Sequence, residues 1–338
     1  MSSSSDAGNI AALNNASMQL NRYFGIFILL FGILGNTMNV CVLSQRALRS
    51  NPCAWLFLAS SIAYGIGLVA GLLSRPLSTW SADLTSENPF LCKLRAGLLF
   101  SAISVGSWLI MLATADRWLS SSPNSNLRKR STLKNAQTNA IVVSICVTLV
   151  EAQNFYCFDA NLTNTPLKCY TKTVWCSVLN DLSLALITIL CPLILMILFS
   201  TMTILNIRSS RSRLQPMQNT ADGPTGHSTM IGNNATVVEQ KKMDRRLSIM
   251  LFVQIFLICL LSLPLASIKL YTTMTRSLTK SALQITIENF AFNVLLLVFY
   301  LSCGMPFYIY LLSGGRLFRK AIYSFVNTLR HKIMRQRV

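Results

Sequence analysis

An all-α membrane protein, folded as a seven-transmembrane helix bundle, is the fold class this sequence predicts. Three observations carry the prediction. Hydrophobic residues make up 52% of the 338 and charged residues only 12%, too apolar a balance for a soluble domain. The charges are absent from long windows rather than thinly spread. The Lys and Arg residues crowd into alternate connections between those windows.

The windows come first in the chain order. Residues 24–43, 54–73, 96–115, 182–207, 247–268 and 289–312 carry no charge, and about 20 apolar residues suffice for a helix to cross the hydrocarbon core. A seventh span, about 139–158, is interrupted by Glu151. Residues 1–22 are polar and have no apolar core ahead of the first window. They are expected to form a short extracellular tail, with the first span rather than a cleaved signal peptide directing insertion. The seven-span domain is then 23–325, followed by a basic cytoplasmic tail over 326–338.

Orientation follows from the basic residues. Arg46 and Arg49 follow the first span, and Arg128, Lys129, Arg130 and Lys134 follow the third. Lys241, Lys242, Arg245 and Arg246 stand before the sixth span, and Arg316, Arg319 and Lys320 follow the seventh. That side is cytoplasmic and the N-terminus extracellular, as in a multi-pass plasma-membrane protein. The net charge of +19 reads as this inside bias plus contact with anionic lipid headgroups, not as nucleic-acid binding. Sequons at Asn15 and Asn161 fall outside, where glycosylation is expected.

The connections have character of their own. Residues 209–243 are rich in Ser, Asn, Gly and Thr, with Pro216 and Pro224, and are expected to be a flexible cytoplasmic loop. Residues 159–180 alternate Thr, Val, Tyr and Trp around Thr165-Pro166, which predicts a β-hairpin in the second extracellular loop. After Gly314-Gly315, basic and apolar residues alternate from Arg316 to Ile322. They predict a short amphipathic eighth helix along the inner membrane surface. Cys92, Cys157, Cys169 and Cys176 fall at or beyond the oxidising outer face, where one or two disulfides are expected with the pairing open.

The third span carries the most informative motif. Arg117 lies 25 residues after Cys92, in Asp116-Arg117-Trp118, so a helix joining them would run ~37 Å, roughly one membrane crossing. Asp116-Arg117-Trp118 together with Gly35-Asn36, Leu58-Ala59, Pro192, Pro264 and Pro306, each in the expected span, resembles the rhodopsin-like (class A) G-protein-coupled receptors, over about residues 22–325. The resemblance implies a receptor for an extracellular ligand that activates a cytoplasmic heterotrimeric G protein by outward movement of helix six. It implies a resting pair between Arg117 and an acidic residue at the foot of span six, here Asp244. It also implies a disulfide from Cys92 to Cys169, with Cys176 the alternative partner, and leaves room for a Cys157–Cys176 bridge.

The sequence departs from the family at several switch positions. Ile62 stands at the span-two aspartate position, Leu261-Ser262-Leu263-Pro264 replaces Cys-Trp-x-Pro, and Met305-Pro306-Phe307-Tyr308-Ile309 replaces Asn-Pro-x-x-Tyr. With Ile62, Gly106 and Met305 at the family's sodium positions, no sodium site is expected, since a hard cation needs oxygen ligands. Leu99 replaces the amine-binding aspartate and Phe299 the retinal lysine, which excludes both ligand classes. Lys269, Glu288, Asp181, Arg75 and Arg95 near the outer mouth, with Trp80, Trp175 and Tyr271, are the ligand-pocket candidates, and their mixed charge suits a short peptide.

Other functions fit less well. A transporter would place ionisable residues near the midplane of its spans, where six of these windows have none. A receptor-like protein with lost or atypical signalling would explain the altered switch motifs. An enzyme is not expected: the only histidines are His227 and His331, in polar cytoplasmic regions, and neither a metal nor a cofactor is implied.

Overall fold

The structure, a computed structural model, describes residues 2–80, 82–162, 168–214, 231–313, 318–319 and 322–323; within these, the side chains at 2–5, 46–47, 79, 210–214 and 231–244 are not described. Among the described residues, seven helices are long and apolar enough to cross a membrane: Asp6–Leu43, Pro52–Ser78, Pro89–Ser121, Leu133–Cys157, Val174–Ser209, Arg245–Met274 and Ala282–Gly304. Each overlaps one predicted window.

The chain begins with α1 (Ser2–Gln19), which continues through a π-helical stretch (Leu20–Phe24) into α2 (Gly25–Leu43). The polar leader expected as a tail is therefore helical. It packs against the seventh span, where Asn293 Nδ2 donates to Ser17 Oγ at 2.9 Å. The turn α3 (Arg46–Arg49) precedes α4 (Pro52–Leu72), and α5 (Ser74–Thr79) follows. Asn51 starts α4: its Oδ1 accepts from Cys53 N at 3.0 Å and Ala54 N at 3.3 Å, and Pro52 fills a position whose missing N–H costs no bond. The same device opens α6 (Pro89–Ser121), where Asn88 Oδ1 accepts from Phe90 N and Leu91 N.

Helix α6 packs against α4, α8 (Leu133–Glu151) and α11 (Cys191–Leu214). Between α6 and α8 lies the short α7 (Ser125–Arg128), and α9 (Gln153–Cys157) extends the fourth span. Strands β1 (Phe158–Asp159) and β2 (Tyr170–Thr171) then pair antiparallel, with Phe158 opposite Thr171. The connecting Thr165-Pro166 turn lies outside the described residues, so the structure shows a two-stranded pair rather than the whole predicted hairpin. Helix α10 (Val174–Leu182) leads through a π-helical stretch (Ser183–Leu190) into α11. Trp108 Nε1 reaches across from α6 to that stretch and donates to Ile187 O at 2.9 Å. Pro192 follows, and a proline without an N–H cannot complete the regular ladder behind it.

The sixth span is part of α12 (Ile231–Met274), which runs on through Pro264. The seventh differs from the sequence expectation of one helix over 289–312. It divides into α13 (Ala282–Gly304) and α14 (Pro306–Ser313) because Pro306 supplies no N–H at the junction, and Met305 is left between them. Close to that break the seventh span crosses the first almost backbone to backbone. A Cβ built on Gly304 would sit 2.8 Å from Gly32 Cα, so only two glycines allow the approach.

The interior is apolar and crossed by a few polar bridges, in which the amide oxygens of Asn36 and Asn39 have no hydrogen-bond partner among the described residues. Asn36 Nδ2 donates to Gly32 O at 3.0 Å and to Cys303 O at 3.2 Å, tying α2 to α13. Asn39 Nδ2 donates to Ser61 Oγ at 3.1 Å, tying α2 to α4. Ser60 and Ser61 face this interior, whereas Ile62 is 46% exposed on the outer flank. Ser60 and Ser61, not Ile62, are thus inward polar residues of the second span. Of the expected eighth helix, Phe318, Arg319, Ile322 and Tyr323 are described; Phe318 is buried against the rings of Phe307 and Tyr310. The rest of that segment, the tail over 326–338 and residues 215–230 of the long loop lie outside the described residues.

Candidate functional site

Helix α6 connects two polar regions at opposite ends of the bundle. At its first turn a disulfide joins Cys92 to Cys169, beside β2, and a second joins Cys157 at the end of α9 to Cys176 on α10. All four cysteines are buried with Ala96 and Phe158 in a cluster of their own. The strand pair is thereby fastened as a lid over the adjoining helix ends.

Under the lid lies a cavity of about 100 Å³, with Arg75, Arg95, Leu99, Phe158, Lys269 and Tyr300 among its walls. Lys269 Nζ pairs with Asp181 Oδ1 at 2.7 Å, and both side chains are buried. The ammonium also stands 3.8 Å from the Phe292 ring centroid, an attraction to the ring face. Arg75 Nη1 donates to Asn21 Oδ1 at 2.7 Å and to Asn293 Oδ1 at 2.6 Å, and its guanidinium lies 6.0 Å from the Tyr300 ring centroid. Arg95 donates to Ser74 Oγ on the neighbouring helix. The arrangement can hold a small polar group among apolar walls.

Of the five pocket candidates, the structure thus brings Arg75, Arg95 and Lys269 to one cavity and gives Asp181 to Lys269. Glu288 is not brought there. Its carboxylate accepts from Lys280 Nζ at 2.6 Å, Gln284 Nε2 at 3.2 Å and Tyr271 Oη at 3.4 Å, in a separate cluster between the ends of α12 and α13. Trp80 and Trp175 are exposed, which removes them from the cavity. Asn15 is exposed on α1. Asn161 is exposed with φ 57°, a left-handed conformation that asparagine tolerates, and its amide donates to Glu87 O at 2.9 Å.

One polar node escaped the sequence reading. Glu151, noted there only as an interruption, is fully buried. It accepts from Ser104 Oγ at 3.0 Å, Ser183 Oγ at 2.8 Å and Asn154 Nδ2 at 2.9 Å, and Ser104 is bonded in turn to Thr188 at 2.6 Å. It joins the third, fourth and fifth spans. The available signal was a carboxyl three residues from an asparagine inside an apolar window, since such a group must find donors.

At the far end of α6, Arg117 Nη2 pairs with Asp116 Oδ2 at 2.7 Å, and both are buried. Asp116 Oδ1 also accepts from Ser131 Oγ at 2.6 Å, which ties in the link between α7 and α8. Trp118 stacks obliquely on Phe199 of α11 with centroids 5.4 Å apart. Asp244, the expected latch, lies within the range of α12, but its side chain is outside the described residues. Between the two ends lies Ser262, where the resemblance would lead one to expect a tryptophan. It is buried, and its hydroxyl has no hydrogen-bond partner among the described residues. Ile309 stands at the family tyrosine position, but the next residue, Tyr310, is fully buried and donates to Gln254 Oε1 on α12 at 2.7 Å. Among the described residues, no group of three or more His, Cys, Asp or Glu is placed to hold a metal ion. No protein-family model matches the sequence, and no curated protein does.

Proposed function

We propose that this chain is a rhodopsin-like G-protein-coupled receptor. It takes an extracellular ligand, a short peptide, at the cavity under the strand lid and activates a cytoplasmic heterotrimeric G protein at the Arg117 end. One observation carries the reading: a single helix, α6, starts at a disulfide-held lid over a cavity and ends in a buried Asp116–Arg117 pair. A membrane-edge arginine is held in one posture while its carboxylate partner stays bonded to it. Releasing it to meet a partner helix requires that pair to open, and movement of α12 exposes the groove. Ser131 adds a second bond on Asp116, so the link between α7 and α8 reports on the same carboxylate.

The test is G-protein nucleotide exchange without ligand. Asp116→Asn weakens the pair, and at equal surface expression basal exchange is expected to rise several-fold, the effect of about 1 kcal/mol on a two-state equilibrium. Unchanged exchange across several G-protein classes would remove the coupling role. The buried Ser262 in place of a large indole favours a second reading, a receptor-like protein whose binding no longer drives signalling. In that case a ligand binds while neither it nor Asp116→Asn changes exchange.

A further inference from the structure

The cavity under the lid is unbalanced in charge. Lys269 has Asp181, but neither Arg75 nor Arg95 has a carboxylate within ion-pair distance among the described residues. The partners of Arg75 are two amide oxygens, and that of Arg95 is one hydroxyl. In addition, Arg95 Nε is buried with no hydrogen-bond partner among the described residues. Asp83 acts on Arg95 electrostatically but forms no ion pair with it, and its own oxygens are taken by Thr85 and Ser86. Guanidinium groups keep their charge at any ordinary pH, and a buried cation hydrogen-bonded only to neutral groups is incompletely compensated. The two cations are held close to one another, because Arg95 bonds to Ser74 and Ser74 immediately precedes Arg75 in the chain.

From this we infer, resting on the receptor reading above, that the cavity binds a carboxylate. The carboxylate belongs to a ligand with an apolar body and lies between Arg75 and Arg95. A carboxylate offers two oxygens to the fork of donors on a guanidinium, including the idle Nε–H, and its charge offsets the excess on that wall. Leu99, Phe100, Phe158, Phe292 and Leu296 give the cavity an apolar flank, and Asn180, Thr188 and Tyr300 are polar residues in the rest of its wall. The volume of about 100 Å³ is well below the ~300 Å³ of a site that encloses a whole drug-sized ligand. It accepts one end of a ligand: the free C-terminus of a peptide with an apolar last residue, or the acid group of a small arylalkyl or alkyl acid. Both sources share the carboxylate chemistry.

The full-length protein in detergent tests this by thermal unfolding with defined probes: 3-phenylpropanoate, hexanoate and the N-acetylated dipeptide Leu-Phe, each against its uncharged primary amide. The acids are expected to raise the unfolding temperature and the amides to leave it unchanged, a comparison that needs no variant. Arg95→Gln and Arg75→Gln are each expected to weaken the acid's apparent affinity at least about tenfold, as for lost hydrogen bonds to a charged group. Lys280→Gln, in the Glu288 cluster, should leave it unchanged. A response to Leu-Phe alone assigns the carboxylate to a peptide terminus, and a response to all three acids assigns it to a small organic acid. The inference is overturned if acids and amides act alike, if no acid acts up to about 1 mM, or if both arginine variants respond as the parent does. Unfolding does not depend on G protein, so acid binding without altered nucleotide exchange sinks the receptor reading and spares this one; the reverse result does the opposite.

Discussion

Lys269 leans over the ring of Phe292 while holding Asp181, and neither contact could be assigned from the sequence. A lysine at the margin of an apolar window marks a charge that needs a partner. The partner lies 88 residues earlier, in a helix whose rotation is set by packing. Glu288 looked equivalent by the same criterion, yet Lys280, eight residues away, satisfies it locally. Glu151 was visible as a carboxyl in an apolar window, but its donors come from three different segments, so its role became legible only with the bundle assembled. Removing one member of a buried pair strands the other. Lys269→Met is therefore expected to destabilise the detergent-solubilised protein by about 3–5 kcal/mol. Adding Asp181→Leu should recover most of the loss in the same unfolding measurement. Equal stability of the single variant and the parent would mean that water already reaches the pair.

At the scale of elements, the spans were readable because hydrocarbon tolerates few alternatives to an uncharged helix. Their starts were written in the chain as well: Asn51-Pro52 and Asn88-Pro89 cap α4 and α6. The ends and breaks were less legible. Pro264 left α12 continuous, whereas Pro306 divided the seventh span, and the chain shows the same residue type at both. The polar leader formed a helix because α2 continues it without a break and α13 gives it a surface. The crossing of α2 and α13 depends on Gly32 and Gly304. Gly304→Val places a branched side chain where Gly32 Cα would already lie 2.8 Å from the first added carbon, and the helices must part. A loss of at least about 1–3 kcal/mol is expected, seen as a lower unfolding temperature and a smaller folded fraction at the cell surface. Gly8, with nothing near its Cβ direction, is the control position, where alanine should be tolerated.

For the whole molecule, the Cys92–Cys169 disulfide follows the pairing that the resemblance implied, and the Cys157–Cys176 bridge that was left open is formed beside it. The lid was legible to that extent, and its strand pair was too. The interior was legible only in part: Asp116 and Arg117 meet as adjacent residues can, while the buried contacts of Ser61 and Tyr310 were not read from the sequence. A motif fixes the order of residues along a span but not which of two neighbours the helix turns inward. The Cys92–Cys169 bridge spans 77 residues, and chain entropy gives such a closure about 4–5 kcal/mol. Cys169→Ser should therefore lower the unfolding temperature by several degrees and weaken any cavity ligand as well. Cys146→Ser, at an exposed unpaired cysteine of the fourth span, should change neither.

The other described cysteines form no disulfide, so both covalent cross-links among the described residues stand at one end. The molecule is built like tweezers riveted near the hinge. At the lid, helix ends are joined by bonds that thermal motion does not open; at the Arg117 end the described elements meet through packing and hydrogen bonds, such as Trp118 on Phe199 and Ser131 on Asp116, that exchange far more readily. On the proposed receptor reading, a push delivered under the lid would meet the riveted end first, and the displacement would emerge at the compliant tips.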